Sequence, residues 1–265
     1  MAKPPVCLTI AGLDPSGGAG IIADIKTFSA FGCFAAAAVS SITFQNTVGV
    51  FGAEHQSADT LRQQVEPIIG DYDIAAVKTG MLPTREVIDE TALLIGRMSG
   101  ARLVVDPVLQ STSGFDLIDD DALRALVNAL FPMSELVTPN RPEAERITRS
   151  RIEKPSDVRA AARTMQSLGA KNVLIKGGHL DEDNAEGRRA IDYLFIGDQR
   201  HVFDEEFIET TATHGTGCTL AAAITANLAL GKSLFDSVSI AKRFVTNAIR
   251  SAPMLGHGHS PINIS

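Results

Sequence analysis

The sequence predicts an α/β fold: a mostly parallel central sheet with helices on both faces. Three observations predict it. Short apolar, β-branched runs recur along the chain, each too short for a helix. Each run ends in a polar or glycine cluster. A segment of helical periodicity then follows. Parallel strands joined in this way bring their polar ends to one edge of the sheet, where ligands gather. The 265 residues suit one domain, residues 1–265, and 45% apolar content supports a sizeable core.

The elements follow in order. Val6 to Ala11 reads as a buried strand and Gly12 to Gly20 as a glycine-rich loop, with a helix over Ile21 to Phe31. Cys33 to Thr43 is a second strand, closed by Gln45-Asn46-Thr47, and Val48 to Ala53 a third. Thr60 to Ile69 is an amphipathic helix. Ile74 to Val77 is a strand ended by Lys78-Thr79-Gly80-Met81-Leu82-Pro83, and Thr84 caps a helix over Arg85 to Met98. Leu103 to Val105 is a strand ended by Asp106, and Asp119 opens a helix. Leu136 to Thr138 is a strand ended by Pro139-Asn140-Arg141-Pro142-Glu143. Ser156 is expected to cap a helix running to Leu168, and Val173 to Ile175 ends at Lys176-Gly177-Gly178-His179. Asp181 to Arg189 reads as a charged loop, with a mobile lid as the alternative. Ile191 to Ile196 and Arg200 to Phe203 form a hairpin turned at Gly197-Asp198. The apolar stretch Leu220 to Leu230 and Ser233 to Arg250 are the last helices, followed by a terminal turn over Gly256 to Pro261. His257 and His259 in that turn are read as structural.

Composition narrows the function. The formal charge is −7 and the basic residues form no block. Neither nucleic acid nor a membrane surface is therefore expected as a partner, whereas small anionic ligands are not excluded. Cys7, Cys33 and Cys218 are odd in number and widely spaced, so no disulfide framework or zinc pattern arises. With no signal-like h-region and no long apolar span, the expected location is cytoplasmic.

The chemistry centres on His214-Gly215-Thr216-Gly217-Cys218-Thr219. Glycines leading into an apolar helix let its unpaired N–H groups converge on an anion. Cys218 falls in the first turn, where the same field is expected to favour thiolate. The bland reading is tight packing around a small buried thiol. Two phosphate motifs fail in the loop over Gly12 to Gly20. Gly18 stands where a P-loop needs lysine, and Gly18-Ala19-Gly20-Ile21-Ile22-Ala23 fits the dinucleotide pattern but has no acid over Ser40 to Thr47 to bind ribose. Gln45, an amide at a strand end, suits ligand recognition or a solvated turn. Asp106, Asn140 with Glu143, Lys176 and the Cys218 turn share one sheet edge. Lysine for phosphate charge, carboxylates for a divalent metal or its waters, and a helix N-terminus suit phosphoryl transfer.

These segments, from Ala11-Gly12-Leu13-Asp14-Pro15-Ser16-Gly17-Gly18-Ala19-Gly20 through Ala23-Asp24-Ile25-Lys26-Thr27, Gln45-Asn46-Thr47, Lys78 to Leu82, Thr138 to Ala144 and Lys176 to His179 to the Cys218 turn, occur in one family's order. The chain resembles hydroxymethylpyrimidine/phosphomethylpyrimidine kinases of thiamine biosynthesis, in the ribokinase-like superfamily. The resemblance implies an αβα sandwich, a homodimer, ATP as co-substrate, magnesium, and phosphorylation of 4-amino-5-hydroxymethyl-2-methylpyrimidine to its monophosphate and then its diphosphate. It implies Cys218 as the base for the substrate hydroxyl and the backbone of Gly215, Thr216 and Gly217 as the anion hole. Lys176 would lie on the nucleotide phosphates. Asn140 and Glu143 would tune the magnesium and phosphate site, with Glu143, and Asp106 through water, toward the metal. Gln45 would read the ring edge, and Asp24 and Met81 would shape its pocket. Ser260 and Ile264 depart from the family's terminal glycine and histidine, and Thr79 stands where isoleucine is common. The rivals are a pyridoxal/pyridoxine kinase of the same fold, which Gln45 and Met81 disfavour, and a non-catalytic ligand-binding relative, which Lys176, Glu143 and Cys218 disfavour.

Overall fold

The computed structural model describes residues 3–111, 114, 116–177 and 189–264. The stretch 178–188 lies outside them, so His179 and all but the end of the expected charged loop have no structural account. Among the described residues nine strands form one sheet in the order β3-β2-β1-β4-β5-β6-β7-β8-β9. These are β1 (Val6–Leu13), β2 (Phe34–Gln45), β3 (Val50–His55), β4 (Ile74–Thr79), β5 (Arg102–Val105), β6 (Leu136–Val137), β7 (Asn172–Lys176), β8 (Arg189–Ile196) and β9 (Gln199–Glu206). From β2 to β7 all neighbours are parallel, while β3 on one edge and β8 with β9 on the other are antiparallel. The strand order reverses beside β1, which has β2 on one side and β4 on the other, and a crevice opens beyond the strand ends at such a point.

Alternation along the strands assigns the two faces. Leu103 and Val105 of β5, Val173 and Ile175 of β7, and Tyr193 and Phe195 of β8 belong to one buried cluster. Helices α2 (Ala58–Asp71), α3 (Arg85–Gly96), α4 (Asp120–Leu130) and α6 (Pro155–Ser167) supply its other side through Leu61, Ile88, Leu126 and Met165. The intervening Val104, Leu174 and Leu194 pack on the opposite face. There α7 (Thr216–Ala229) and α8 (Leu234–Arg250) meet them through Leu220, Ile224 and Val238. Helix α1 (Gly20–Ala30) joins that layer, Phe28 packing with Ala222 and Ala226. A fully buried aliphatic or aromatic side chain contributes about 1.5–3 kcal/mol. A one-residue slip would turn every one of these strands inside out, so the pattern pins the register. Helix α7 is apolar all round because it is covered on nearly every side, with residues 219–228 all buried.

Capping follows the sequence at several ends. Ser57, Thr84, Asp119 and Ser233 each accept a hydrogen bond from an N–H of the helix they precede, worth about 1 kcal/mol apiece. Three expectations are corrected. The helix after Glu153 begins at Pro155, with Asp157 accepting the N–H of Lys154, so Ser156 lies inside the first turn and does not cap it. Helix α7 begins at Thr216, four residues before the apolar stretch. A short helix α5 (Arg141–Thr148) follows β6 where only a polar strand end was expected.

Candidate active site

The strand ends and the first turn of α7 enclose a cavity of about 900 Å³. Gly215, Thr216, Gly217 and Cys218 line it, as do Gln45, Met81, Asp106, Asn140, Glu143 and Lys176. Of the expected site residues only Asp24 does not.

The expected anion hole is built on Gly215. Its φ of +83° belongs to the left-handed region, and a Cβ there would lie 1.8 Å from the Gly18 carbonyl oxygen. Glycine is required by both the turn and the close approach. No side chain caps α7; the Thr216 N–H donates to the Thr213 carbonyl at 3.4 Å, which leaves those of Gly217 and Cys218 to a ligand. A Cβ on Gly217 would lie 3.3 Å from Lys176 Nζ, which puts that ammonium directly beside the turn.

The glycine-rich loop after β1 has a different job from phosphate binding. Asp14 accepts from the N–H groups of Gly18 and Ala19, and from both the N–H and the hydroxyl of Ser16. The N–H groups of Gly18 and Ala19 are therefore spent within the loop. His214 Nε2 stands 2.7 Å from Asp14 Oδ2, and its N–H donates to that carboxylate. Burial alone would raise Asp14, but hydrogen bonds from His214, Ser16 and Gln45 hold its carboxyl well below the usual range. Asp14 thus ties Gln45, the last residue of β2, to the residue before the anion hole. Neither Asp14 nor His214 stood among the expected site residues. Their contact spans 200 positions, and no local pattern signals it.

Among the described residues three lysines line the cavity: Lys176, Lys78 and Lys242, the last held by Asp192 Oδ2 at 2.7 Å. Lys176, at the end of β7, donates to Asp106 Oδ1 at 3.0 Å and lies 4.0 Å from Glu143 Oε2. Thr138 also donates to Asp106 Oδ1, at 2.9 Å. Burial would raise Asp106, yet Lys176 and Lys78 hold it low. Lys176 itself stays above its ordinary value, because the two carboxylates outweigh its burial. Glu143 is pushed up to about 7 by burial, against the pull of Lys176 4.0 Å away, with Asp106 adding to the rise. Asn140 and Glu143 form a capping box at the start of α5. Asn140 Oδ1 accepts the Glu143 N–H at 2.8 Å, and Glu143 Oε2 accepts the Asn140 N–H at 2.7 Å. The N-x-x-E spacing is thus first a helix signal, and it also holds a carboxylate beside Lys176.

The second ammonium, Lys78 at the end of β4, was not expected. It forms the floor of the cavity and donates to Asp24 Oδ2 at 2.8 Å, with both side chains fully buried. Thr9 donates to the same oxygen at 2.6 Å, while Asp24 Oδ1 has no partner. Asp24 therefore sits behind Lys78 and does not line the cavity itself. Helix periodicity puts Asp24 on the buried side of α1, beneath the cavity. A charged residue closing the apolar run Ile74 to Val77 was the available signal for Lys78.

Cys218 corrects a second expectation. Burial pushes its thiol up to about 11. The Lys78 ammonium and a Gly20 N–H at the sulfur pull it down, while Asp24 and Asp106 push it up. Desolvation outweighs the helix N-terminus here. Met81 packs its sulfur against Gly12, where a Cβ would stand 3.1 Å away, and its carbonyl accepts from Ser40 at 2.6 Å.

Comparison with known proteins agrees with this arrangement. The family model described as phosphomethylpyrimidine kinase matches residues 14–263. The hydroxymethylpyrimidine/phosphomethylpyrimidine kinase of Bacillus subtilis is 42% identical over 97% of this chain and 93% of its own length. Pyridoxal kinase from Staphylococcus aureus, solved with pyridoxal, superposes with a TM-score of 0.90 at 31% identity, over 99% of this chain and 94% of that one. Phosphomethylpyrimidine kinase from Clostridium difficile superposes at 0.80 with 39% identity, over 92% and 99%. With the ribokinase-like sheet, and the glycine turn at α7, Lys78 and Lys176 on one cavity, the chain belongs to the phosphomethylpyrimidine kinase family.

Proposed function

We propose that this kinase phosphorylates the hydroxymethyl group of 4-amino-5-hydroxymethyl-2-methylpyrimidine, and then the resulting monophosphate, with ATP as phosphoryl donor in thiamine biosynthesis. The observation that carries the reading is the convergence of an uncapped helix N-terminus, Cys218, Lys176 and Lys78 on one cavity whose other wall holds Gln45 and Met81.

In the first transfer the substrate oxygen attacks the γ-phosphorus and the bond to the ADP oxygen breaks. The hydroxyl proton passes to the Cys218 sulfur. The N–H groups of Gly217 and Cys218 and the Lys176 ammonium meet the charge on the transferring group. The sulfur accepts a proton only as thiolate, a minor form at neutral pH when the thiol is held near 11. The Lys78 ammonium is the main charge that stabilises that form, with the Gly20 N–H at the sulfur. The second transfer differs. A phosphate monoester with a second pKa near 6 is mostly dianionic at pH 7, so its oxygen attacks without a base.

Asp106 and Glu143 fit magnesium carried by a nucleotide. Among the described residues no cluster of three acidic, histidine or cysteine side chains could hold a metal alone. Two carboxylates beside a phosphate site suit an ion whose remaining ligands are phosphate oxygens and water. Bound there, magnesium supplies charge neutralisation on the phosphates. The homodimer reading draws support from Ile42, Phe44, Val48 and Phe51, exposed apolar residues around the β2–β3 edge. Among the described residues no helix is long and apolar enough to cross a membrane, which agrees with the cytoplasmic reading.

A second reading, pyridoxal phosphorylation, is favoured by the superposition on pyridoxal kinase. Coupled ADP-release assays with each ring test the choice. Faster turnover of the pyrimidine is expected, and faster turnover of pyridoxal would overturn it.

A further inference from the structure

The ring-reading end of β2 and the anion hole lie at opposite ends of the chain, yet both are tied to the C-terminal turn. On one side, the N–H of His259 donates to the Thr47 carbonyl at 2.7 Å and the N–H of His257 to the Thr47 hydroxyl at 3.2 Å. Thr47 is two residues beyond Gln45, in a tight turn where Asn46 Oδ1 accepts from the N–H groups of Val48 and Gly49. On the other side, His259 Nδ1 stands 3.0 Å from the Thr213 hydroxyl. The His214 N–H donates to the Ser260 carbonyl at 3.2 Å, and the Ser260 N–H to the Thr211 carbonyl at 3.1 Å. Thr213 and His214 both line the cavity.

Contact at the turn is too close for any side chain at one position. A Cβ on Gly258 would lie 2.2 Å from the Thr47 carbonyl oxygen and 2.7 Å from Val48 Cα, backbone that cannot swing aside. Ser260, where relatives were expected to carry glycine, is buried. Its hydroxyl accepts the Leu255 N–H at 2.9 Å and donates to the Pro261 carbonyl, closing the turn on itself. Ile264, in place of the expected histidine, is buried with Ala23, Ala248 and Ile262, which anchors the tail on α1 and α8.

We propose that the Gly256-His257-Gly258-His259-Ser260 turn is a clasp that sets the distance between the ring-binding end of β2 and the anion hole of α7, with Thr47, Gly258 and His259 as positioning residues. The inference rests on the substrate reading above, since it assigns Gln45 to the ring. A clasp at this place acts on the acceptor alcohol and its alignment with the anion hole. The nucleotide wall at Lys176 and α5 is not among its contacts.

Steady-state kinetics of Gly258→Ala, His259→Ala, Thr47→Val and Thr47→Ser test it, with KM taken separately for the pyrimidine and for ATP. Losing one such hydrogen bond is expected to raise the pyrimidine KM by about fivefold in His259→Ala and Thr47→Val, with ATP KM changed less than about twofold. Gly258→Ala is expected to do more and to lower kcat as well. Thr47→Ser, which keeps the hydroxyl, restores the wild-type values. Equal rises in both KM values, an unchanged pyrimidine KM, or failure of the serine to rescue would each overturn the clasp. If Gly258→Ala does not fold, the Thr47 pair decides alone. Should the wild type turn over pyridoxal and not the pyrimidine, the substrate reading falls, and the same KM comparison run with pyridoxal still decides the clasp.

Discussion

Replacing Lys78 by methionine leaves Asp24 buried without a counter-charge, and the cost can be worked from the structure. Both side chains are fully buried, and Asp24 keeps only the Thr9 hydroxyl. A lone buried carboxylate protonates rather than stay charged. Burial already holds its carboxyl above the ordinary 3.8 despite Lys78, so forcing protonation at pH 7, 3.2 pH units above that value, costs at most about 4 kcal/mol at roughly 1.4 kcal/mol per unit. That agrees with the ~3–5 kcal/mol seen when one partner of a buried pair is removed. At ~2.1 cal/mol/K per residue, 265 residues give an unfolding entropy near 0.56 kcal/mol/K, so Tm at pH 7 falls by at most about 7 °C. The sign with pH follows from a folded-state value raised above the unfolded one. The carboxyl's favourable contribution is whole below 3.8 and is lost as pH rises, so the deficit shrinks as pH falls from 7 toward 4.5. Asp24→Asn in the same chain removes the orphaned charge and is expected to recover half or more of the loss. Urea denaturation at pH 4.5, 5.5 and 7 measures all of this. A deficit that stays flat with pH, or a double variant no better than Lys78→Met, would refute the charge argument and leave lost packing as the cause.

Other predictions concern the cavity. Because the Cys218 thiol is held near 11, kcat/KM for the pyrimidine rises with pH and is still climbing at pH 9; a plateau by pH 7.5 contradicts the base assignment. Iodoacetamide alkylation of the free enzyme at Cys218 follows the same rise. Gln45→Ala raises the pyrimidine KM far more than the ATP KM, since the amide faces the ring wall beside Asp14; equal changes argue against its role. Glu143, folded near 7 and unfolded near 4.5, contributes stability that is complete below pH 4.5 and lost as pH rises through 7. Glu143→Gln therefore gains on the wild type between pH 5 and 8 in the nucleotide-free protein, by at most about 3 kcal/mol, as read from urea midpoints. No gain across that range sinks the burial argument.

Much of the fold was legible because strand, polar end and helix repeat in sequence. Apolar alternation fixed both faces of β5, β7 and β8, and Thr84 and Asp119 marked their helix starts. Boundaries failed where one signal served two purposes. Asn140 and Glu143 were read as phosphate-site residues and are also a capping box, so α5 escaped notice. Its own residues are too polar to show an apolar stripe. Of the site, the Cys218 turn, Lys176 and Gln45 were readable as polar residues at the ends of apolar runs. Lys78 was equally readable, as the charged residue closing the apolar run Ile74 to Val77. The Asp14–His214 contact and the clasp on Thr47 join residues about 200 positions apart, and only the folded chain reveals such pairs. The Cys218 thiol shows the limit of local reasoning. A helix start argues for thiolate, but its carboxylate neighbours and its burial come from other elements and reverse the sign.

The central claim is that Cys218 takes the proton of an alcohol at the anion hole. The most direct measurement is mass spectrometry of products from Cys218→Ala and wild type, fed ATP with either the hydroxymethylpyrimidine or its monophosphate. The wild type is expected to make the monophosphate and then the diphosphate. The variant is expected to lose about a hundredfold or more on the alcohol and far less on the monophosphate, whose oxygen carries no proton to remove. Monophosphate formed by the variant at the wild-type rate would contradict the account.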